Sequence, residues 1–142
     1  MRWLVKFCRL DGADRRLLLE AAVTVLGVRL ALWALPLGRL RRLANRHGSA
    51  ATKRGGQVDP ERLAWAVAAA ARRVPAASCL TQALALHLLC QRSGVATQLQ
   101  IGVTRDPGGV FRAHAWVERN GKVLIGNFWE LGAFAPLPSV GL

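Results

Sequence analysis

The sequence predicts an α+β domain: helices over the first two thirds, then a small antiparallel sheet. Three observations predict it. Apolar residues recur three and four apart in segments up to about residue 93. From Gln98 the period changes to two, with Leu99, Ile101 and Val103 alternating with Gln98, Gln100 and Gly102. Asn120-Gly121 then sits between two strand-like runs and signals a two-residue hairpin.

The chain has 142 residues, enough for one domain with an N-terminal segment, and the expected division is 1–57 and 58–142. From Leu17 to Leu37 it is rich in Leu, Ala and Val, interrupted by Glu20 and Arg29 and closed by Pro36. Two charges argue against a membrane crossing, so a long helix hidden on most sides, packed on the domain or on a partner, is expected. A short basic amphipathic piece follows, with Arg39, Arg41, Arg42 and Arg46, and then a polar linker from His47 to Gly56. Asp59-Pro60-Glu61 supplies an N-cap, a proline at the first helical position and an acidic first turn. That helix is expected to reach about Arg73, with Leu63, Val67, Ala70 and Ala71 facing inward and Trp65 packed.

Pro75 breaks the chain again before Ser78 caps the next helix, which Gly94 ends. Cys79 therefore opens a mostly buried helix, where unsatisfied N–H groups and the positive end of the helix dipole stabilise a thiolate. Beyond the Gln98–Val103 strand, Asp106-Pro107-Gly108-Gly109 is a turn. Phe111 to Arg119 is the second strand, with Phe111, Ala113, Ala115 and Val117 on one face and Arg112, His114, Trp116 and Glu118 on the other. Lys122 to Asn127 is the third, and the tail containing Pro136 and Pro138 is expected to be irregular.

A two-residue hairpin fixes a register. Arg119 faces Lys122, Val117 faces Leu124, Ala115 faces Gly126, and His114 faces Asn127, with opposed Cβ atoms about 4.5–5.5 Å apart. An Asn at that distance accepts from the imidazole and fixes its tautomer, leaving the other ring nitrogen to take a thiol proton. Cys79, His114 and Asn127 thus follow the order and the helix-then-sheet setting of a papain-like cysteine protease. Gln82, one turn after Cys79, is a candidate to line the cleft, and Trp116, beside His114 on the same face, either walls a peptide groove or packs. His87 points away from Cys79 and reads as packing or surface. Cys8 and Cys90 have no base in view.

The net charge of +12 is uneven: residues 1–54 hold twelve Lys/Arg against three acids. Such a segment attracts nucleic acid, an anionic membrane or an acidic peptide. Its arginines lie among leucines without interleaved exposed aromatics, so no nucleic-acid partner is expected, and peripheral membrane contact is the alternative. Three widely spaced cysteines, an odd number, argue against a disulfide framework and fit a reducing, cytoplasmic setting. The N-terminal stretch Met1 to Arg9 is too short and too charged for a signal peptide. No metal-ligand spacing appears, and no metal or cofactor is expected.

Ser78-Cys79-Leu80, Gly94-Val95-Ala96, Ile101-Gly102-Val103 and above all His114-Ala115-Trp116-Val117-Glu118 resemble the transglutaminase-like leader peptidases (B-type proteins) of lasso peptide biosynthesis. The resemblance is specific over about residues 58–127. It implies a papain/transglutaminase-like fold with a nucleophile helix on a small antiparallel sheet, preceded by N-terminal helices. It also implies a cysteine protease that removes the leader from a ribosomally made precursor before a separate ATP-dependent lasso cyclase closes the macrolactam. The family's Cys and His fall at Cys79 and His114. Its Asp falls at Asn127, which orients an imidazole but brings no charge. With helices rather than a β-rich recognition domain in front, the split form is expected, in which a separate leader-recognition protein delivers the precursor peptide. A non-catalytic peptide-binding or scaffold protein of the same fold is the alternative.

Overall fold

The computed structural model describes residues 6, 8–36, 38–40, 42, 58–126 and the backbone of 135–136. Three helices, α1 (Gly12–Ala34), α2 (Pro60–Ala71) and α3 (Cys79–Arg92), precede three antiparallel strands, β1 (Gln98–Arg105), β2 (Phe111–Arg119) and β3 (Lys122–Ile125). A two-residue β4 (Ala135–Pro136) pairs with β1, giving the order β3-β2-β1-β4. The tail expected to be irregular thus places Pro136 opposite Gly102 at the edge of the sheet, a position that tolerates a residue without an N–H.

The local signals of α2 and α3 act as read. Asp59 accepts from the Glu61 amide at 3.0 Å with Pro60 in the first turn. Ser78 Oγ accepts from the Thr81 amide at 3.3 Å. At the other end of α3, Gly94 has φ +74°, its amide donates to Gln91 O and the Val95 amide to Cys90 O, which closes a Schellman cap. Between the helices Ala76 sits at φ +58°, a left-handed conformation that turns the chain into Ser78.

α3 is the central helix. Ala83, Leu84, Ala85, Leu86, Leu89 and Cys90 are buried on several sides of it, by α1, α2 and the sheet. Leu63, Ala66, Val67 and Ala70 of α2, Ala21, Val25 and Val28 of α1, and Ala115, Val117 and Ile125 of the sheet complete one core. α1 therefore shares the core of the helices and strands that follow it, and Asp14 in its first turn pairs with Arg62 of α2. His87 lies buried on α3, between Thr97 Oγ1 (2.8 Å from Nδ1) and the Gln91 amide (3.1 Å from Nε2), in a packing role.

On the helical side the domain covers less than expected. It hides only one side of α1: Leu19, Val23, Leu26, Leu30 and Trp33 are exposed. The helix is long and apolar enough to cross a bilayer, yet Ala21, Val25 and Val28 seat it in the core. Trp65 is likewise exposed, and walls an apolar groove of about 330 Å³ between α1 and α2. The basic piece after Pro36 and the His47–Gly56 linker lie largely outside the described residues.

Burial pushes the Cys90 thiol up from 9.0 to about 12, with Arg119 opposing the shift. The unfolded chain ionises this thiol near its ordinary value and the folded chain does not, so the unfolded state binds fewer protons above pH 9. Stability is expected to fall as pH rises from 9 towards 12, by about 2 kcal/mol at pH 10.5 from this one group. Urea unfolding of the parent and Cys90→Ala at pH 8 and 10.5 checks it: the variant should show a smaller loss.

Candidate active site

Cys79 is the first residue of α3 and is half-buried. Helix geometry aims the first-turn amides outward along the axis, and with Ser78 Oγ engaged by the Thr81 amide, those of Cys79 and Leu80 open onto the thiol's end of the helix. Gln82 stands one turn further on, half-buried, its amide bonded to Ser78 O. α3 packs against β2, the strand that carries His114.

β2 is buried on both faces at its centre. Ala115 and Val117 point into the core, while His114 and Trp116, on the opposite face, are only 7% and 5% exposed. Gly102 lies opposite His114 on β1, so that strand puts no side chain beside the imidazole. The Trp116 ring stacks nearly parallel to His114, with centroids 6.2 Å apart and planes at 19°. The Trp116 indole N–H donates to Glu118 Oε1 at 2.6 Å. Three alternate residues of one strand thus form a row: the carboxylate holds the indole, and the indole flanks the imidazole.

The hairpin turn is the predicted one, with Asn120 at φ +50° and Gly121 at φ +77°, both left-handed as a type I′ turn requires. Its register is not kept. Arg119 faces Lys122 and Glu118 faces Val123, but Val117 faces Ile125 and not Leu124. Leu124 is therefore an extra residue on β3, a β-bulge beside the histidine strand. The pairing of Ala115 with Gly126 and of His114 with Asn127 assumed an unbroken ladder, and that ladder breaks after Glu118. Asn127 itself lies outside the described residues.

The residue that meets the imidazole is Gly126. His114 Nε2 lies 3.1 Å from its carbonyl oxygen. A carbonyl only accepts, so Nε2 carries the hydrogen, and in the neutral ring Nδ1 carries the lone pair. Gly126 has φ +85°, and a Cβ there would sit 2.8 Å from Trp116 Cβ and 2.9 Å from Ala115 O. Only glycine brings this carbonyl so close to β2. Sequence reading missed it because a bulge leaves no composition signal; a glycine ending a strand just after a hairpin was the available clue. Glu118, on the same face as His114 but set aside because it lies four strand residues away, is linked to it through the indole.

Glu118→Ala should leave the buried indole N–H without its acceptor and cost about 1–3 kcal/mol, with most of it restored in Glu118→Gln. Urea denaturation of the three proteins tests this.

A cysteine at the start of a central helix, packed on an antiparallel sheet that carries a buried histidine, defines an α+β domain of the papain and transglutaminase kind. The chain belongs to the Transglutaminase-like superfamily, whose family model matches residues 22–139. That superfamily includes cysteine peptidases. The match starts within α1 and takes in α2, α3 and all four strands. No curated protein matches the chain. No solved structure matches it either.

Proposed function

We propose that this protein is a cysteine peptidase that removes the leader from a ribosomally made lasso precursor peptide before macrolactam closure. The observation that carries the chemistry is the fixed tautomer of His114: Gly126 O holds Nε2–H, which makes Nδ1 the basic nitrogen. In the proposed reaction His114 Nδ1 takes the Cys79 proton as Sγ attacks the scissile carbonyl. The oxyanion is met by the Cys79 backbone N–H at the helix N-terminus. The imidazolium then protonates the leaving amine, and water attacks the thioester with the same nitrogen as base, returning the thiol and releasing the carboxylate. Asn127 is assigned to the third position of the triad, where the carbonyl of Gly126 shares the task of orienting the ring. Trp116, buried and stacked on His114, is assigned to support the ring, and Gln82 is assigned to the cleft.

The leader-peptide assignment draws on the His114–Glu118 run and the residues around Cys79. The protein is taken to work in the cytoplasm, with the precursor delivered by a separate recognition protein and passed to a lasso cyclase. Incubation with a precursor and its recognition partner, followed by mass spectrometry, tests the reading. A single cut between leader and core is expected. Precursor bound but left intact would instead favour a non-catalytic binding protein of the same fold.

A further inference from the structure

The side of α1 turned away from the core carries charges of one sign. Leu19, Val23, Leu26, Leu30 and Trp33 are exposed, and they form a line about 21 Å long within about 40° of the Leu19 direction. Arg15, Arg16 and Arg29 fall within about 80° of the same direction, with Arg15 and Arg16 exposed. The acids of the helix fall elsewhere: Glu20 is about 100° away, and Asp14, about 140° away, pairs with Arg62 of α2. The outer half of α1 is therefore apolar at its centre and arginine at its edges. The same surface runs on into the groove of about 330 Å³ between α1 and α2, since Leu19 lines both. Leu10, Leu18, Ala22 and the exposed Trp65 give that groove apolar walls, and the charged residues that line it, Lys6 and Arg73, are both cationic.

We propose that this face docks on the surface of a membrane containing anionic phospholipid, independent of what Cys79 does. Ala21, Val25 and Val28 hold α1 in the core, so the helix lies along the bilayer and does not cross it. The leucines, valines and Trp33 enter the boundary of the acyl region. Arg15, Arg16 and Arg29 reach the phosphates beside them, their aliphatic stems lying along the apolar surface. The groove accepts an acyl chain, with Lys6 and Arg73 at its headgroup. Charge decides the occupant. Residues 1–54 hold twelve Lys/Arg against three acids, the balance that an anionic leaflet attracts. A second copy of this face would set arginine against arginine. A folded protein partner would find one hydrogen-bonding group along the exposed line, the Trp33 indole N–H, where protein interfaces carry about one hydrogen bond per 100–200 Å².

Co-sedimentation of the full chain with vesicles at 0.15 M salt tests this, using phosphatidylcholine alone or mixed with phosphatidylglycerol. Binding to the mixed vesicles is expected, and binding to phosphatidylcholine alone should be about tenfold weaker or less. Leu26→Gln/Leu30→Gln keeps the net charge and changes two exposed side chains, so its circular dichroism should match the parent while its binding falls about tenfold or more. Arg15→Gln/Arg16→Gln should weaken binding to the mixed vesicles by a similar factor and leave binding to phosphatidylcholine unchanged. Lipids brominated along the acyl chain should quench the tryptophan emission, and less so in Trp33→Phe. No binding to the mixed vesicles would overturn the proposal. Binding that ignores Leu26→Gln/Leu30→Gln, or quenching that ignores Trp33→Phe, would reduce it to adsorption of a basic protein and overturn it equally. Self-association of the lipid-free chain that Leu26→Gln/Leu30→Gln abolishes would give the face to a second copy instead.

Discussion

Cys79→Ala is expected to lower precursor cleavage by about 10³-fold or more, the scale on which losing a covalent nucleophile acts. The fold should be unaffected. Cys79 is half-buried and lies outside the core cluster, and alanine is a good helix former. The cap that starts α3 is made by Ser78 with Thr81, so it survives the change. Equal unfolding midpoints for parent and variant, measured by thermal circular dichroism, separate this result from simple loss of structure. Cleavage by Cys79→Ala at the parent rate would remove the nucleophile from the mechanism.

The second large effect is expected at a residue that takes no part in bond-making. In Gly126→Ala the new methyl would meet the Trp116 side chain and the Ala115 carbonyl at under 3 Å, on a backbone at φ +85°. A left-handed alanine costs about 1–2 kcal/mol, and overpacking against backbone about 1–3 kcal/mol more. We expect a destabilisation of about 2–5 kcal/mol in urea unfolding. Relief of the contact must move the carbonyl that His114 Nε2 holds, so the surviving folded protein should also cleave about 10²-fold more slowly. Gly121→Ala is the control: its φ is also positive, +77°, but a Cβ there meets nothing within 4 Å. It should lose stability through backbone strain alone and keep its activity.

What the sequence made legible was what local chemistry decides. Ser78 as cap, Gly94 as stop, Asp59-Pro60 at the start of α2 and Asn120-Gly121 at the hairpin all act over four or five residues, and each is found where it was read. His114 and Cys79 were legible as candidates because each stood on an element whose type and start were already set. The register beyond Glu118 was not legible, because a bulge is set by how β3 meets the core and not by its own residues. Leu124 and Ile125 both suit a strand; the structure buries Ile125 and passes over Leu124 as the extra residue. The exposed side of α1 escaped for a related reason. A leucine-rich stretch reads the same whether its second face meets the domain or something outside it, and only the packed helices show that Leu19 to Trp33 face outward. Trp116, read as either groove wall or packing, proves to be tied to Glu118 and laid against His114.

The central claim is that Cys79 is a nucleophile because it opens α3 and has His114 for a base. Alkylation of the native protein by a limiting amount of iodoacetamide at pH 7, with each cysteine followed by peptide mass spectrometry, tests it most directly. Cys90, buried and pushed up to about 12, should not react, and exposed Cys8 supplies the rate of an ordinary thiol. Cys79 is predicted to react about tenfold or more faster than Cys8, although it is the less exposed of the two, and to lose that lead in His114→Ala. Labelling of Cys79 no faster than Cys8, or a lead that survives in His114→Ala, would contradict the account.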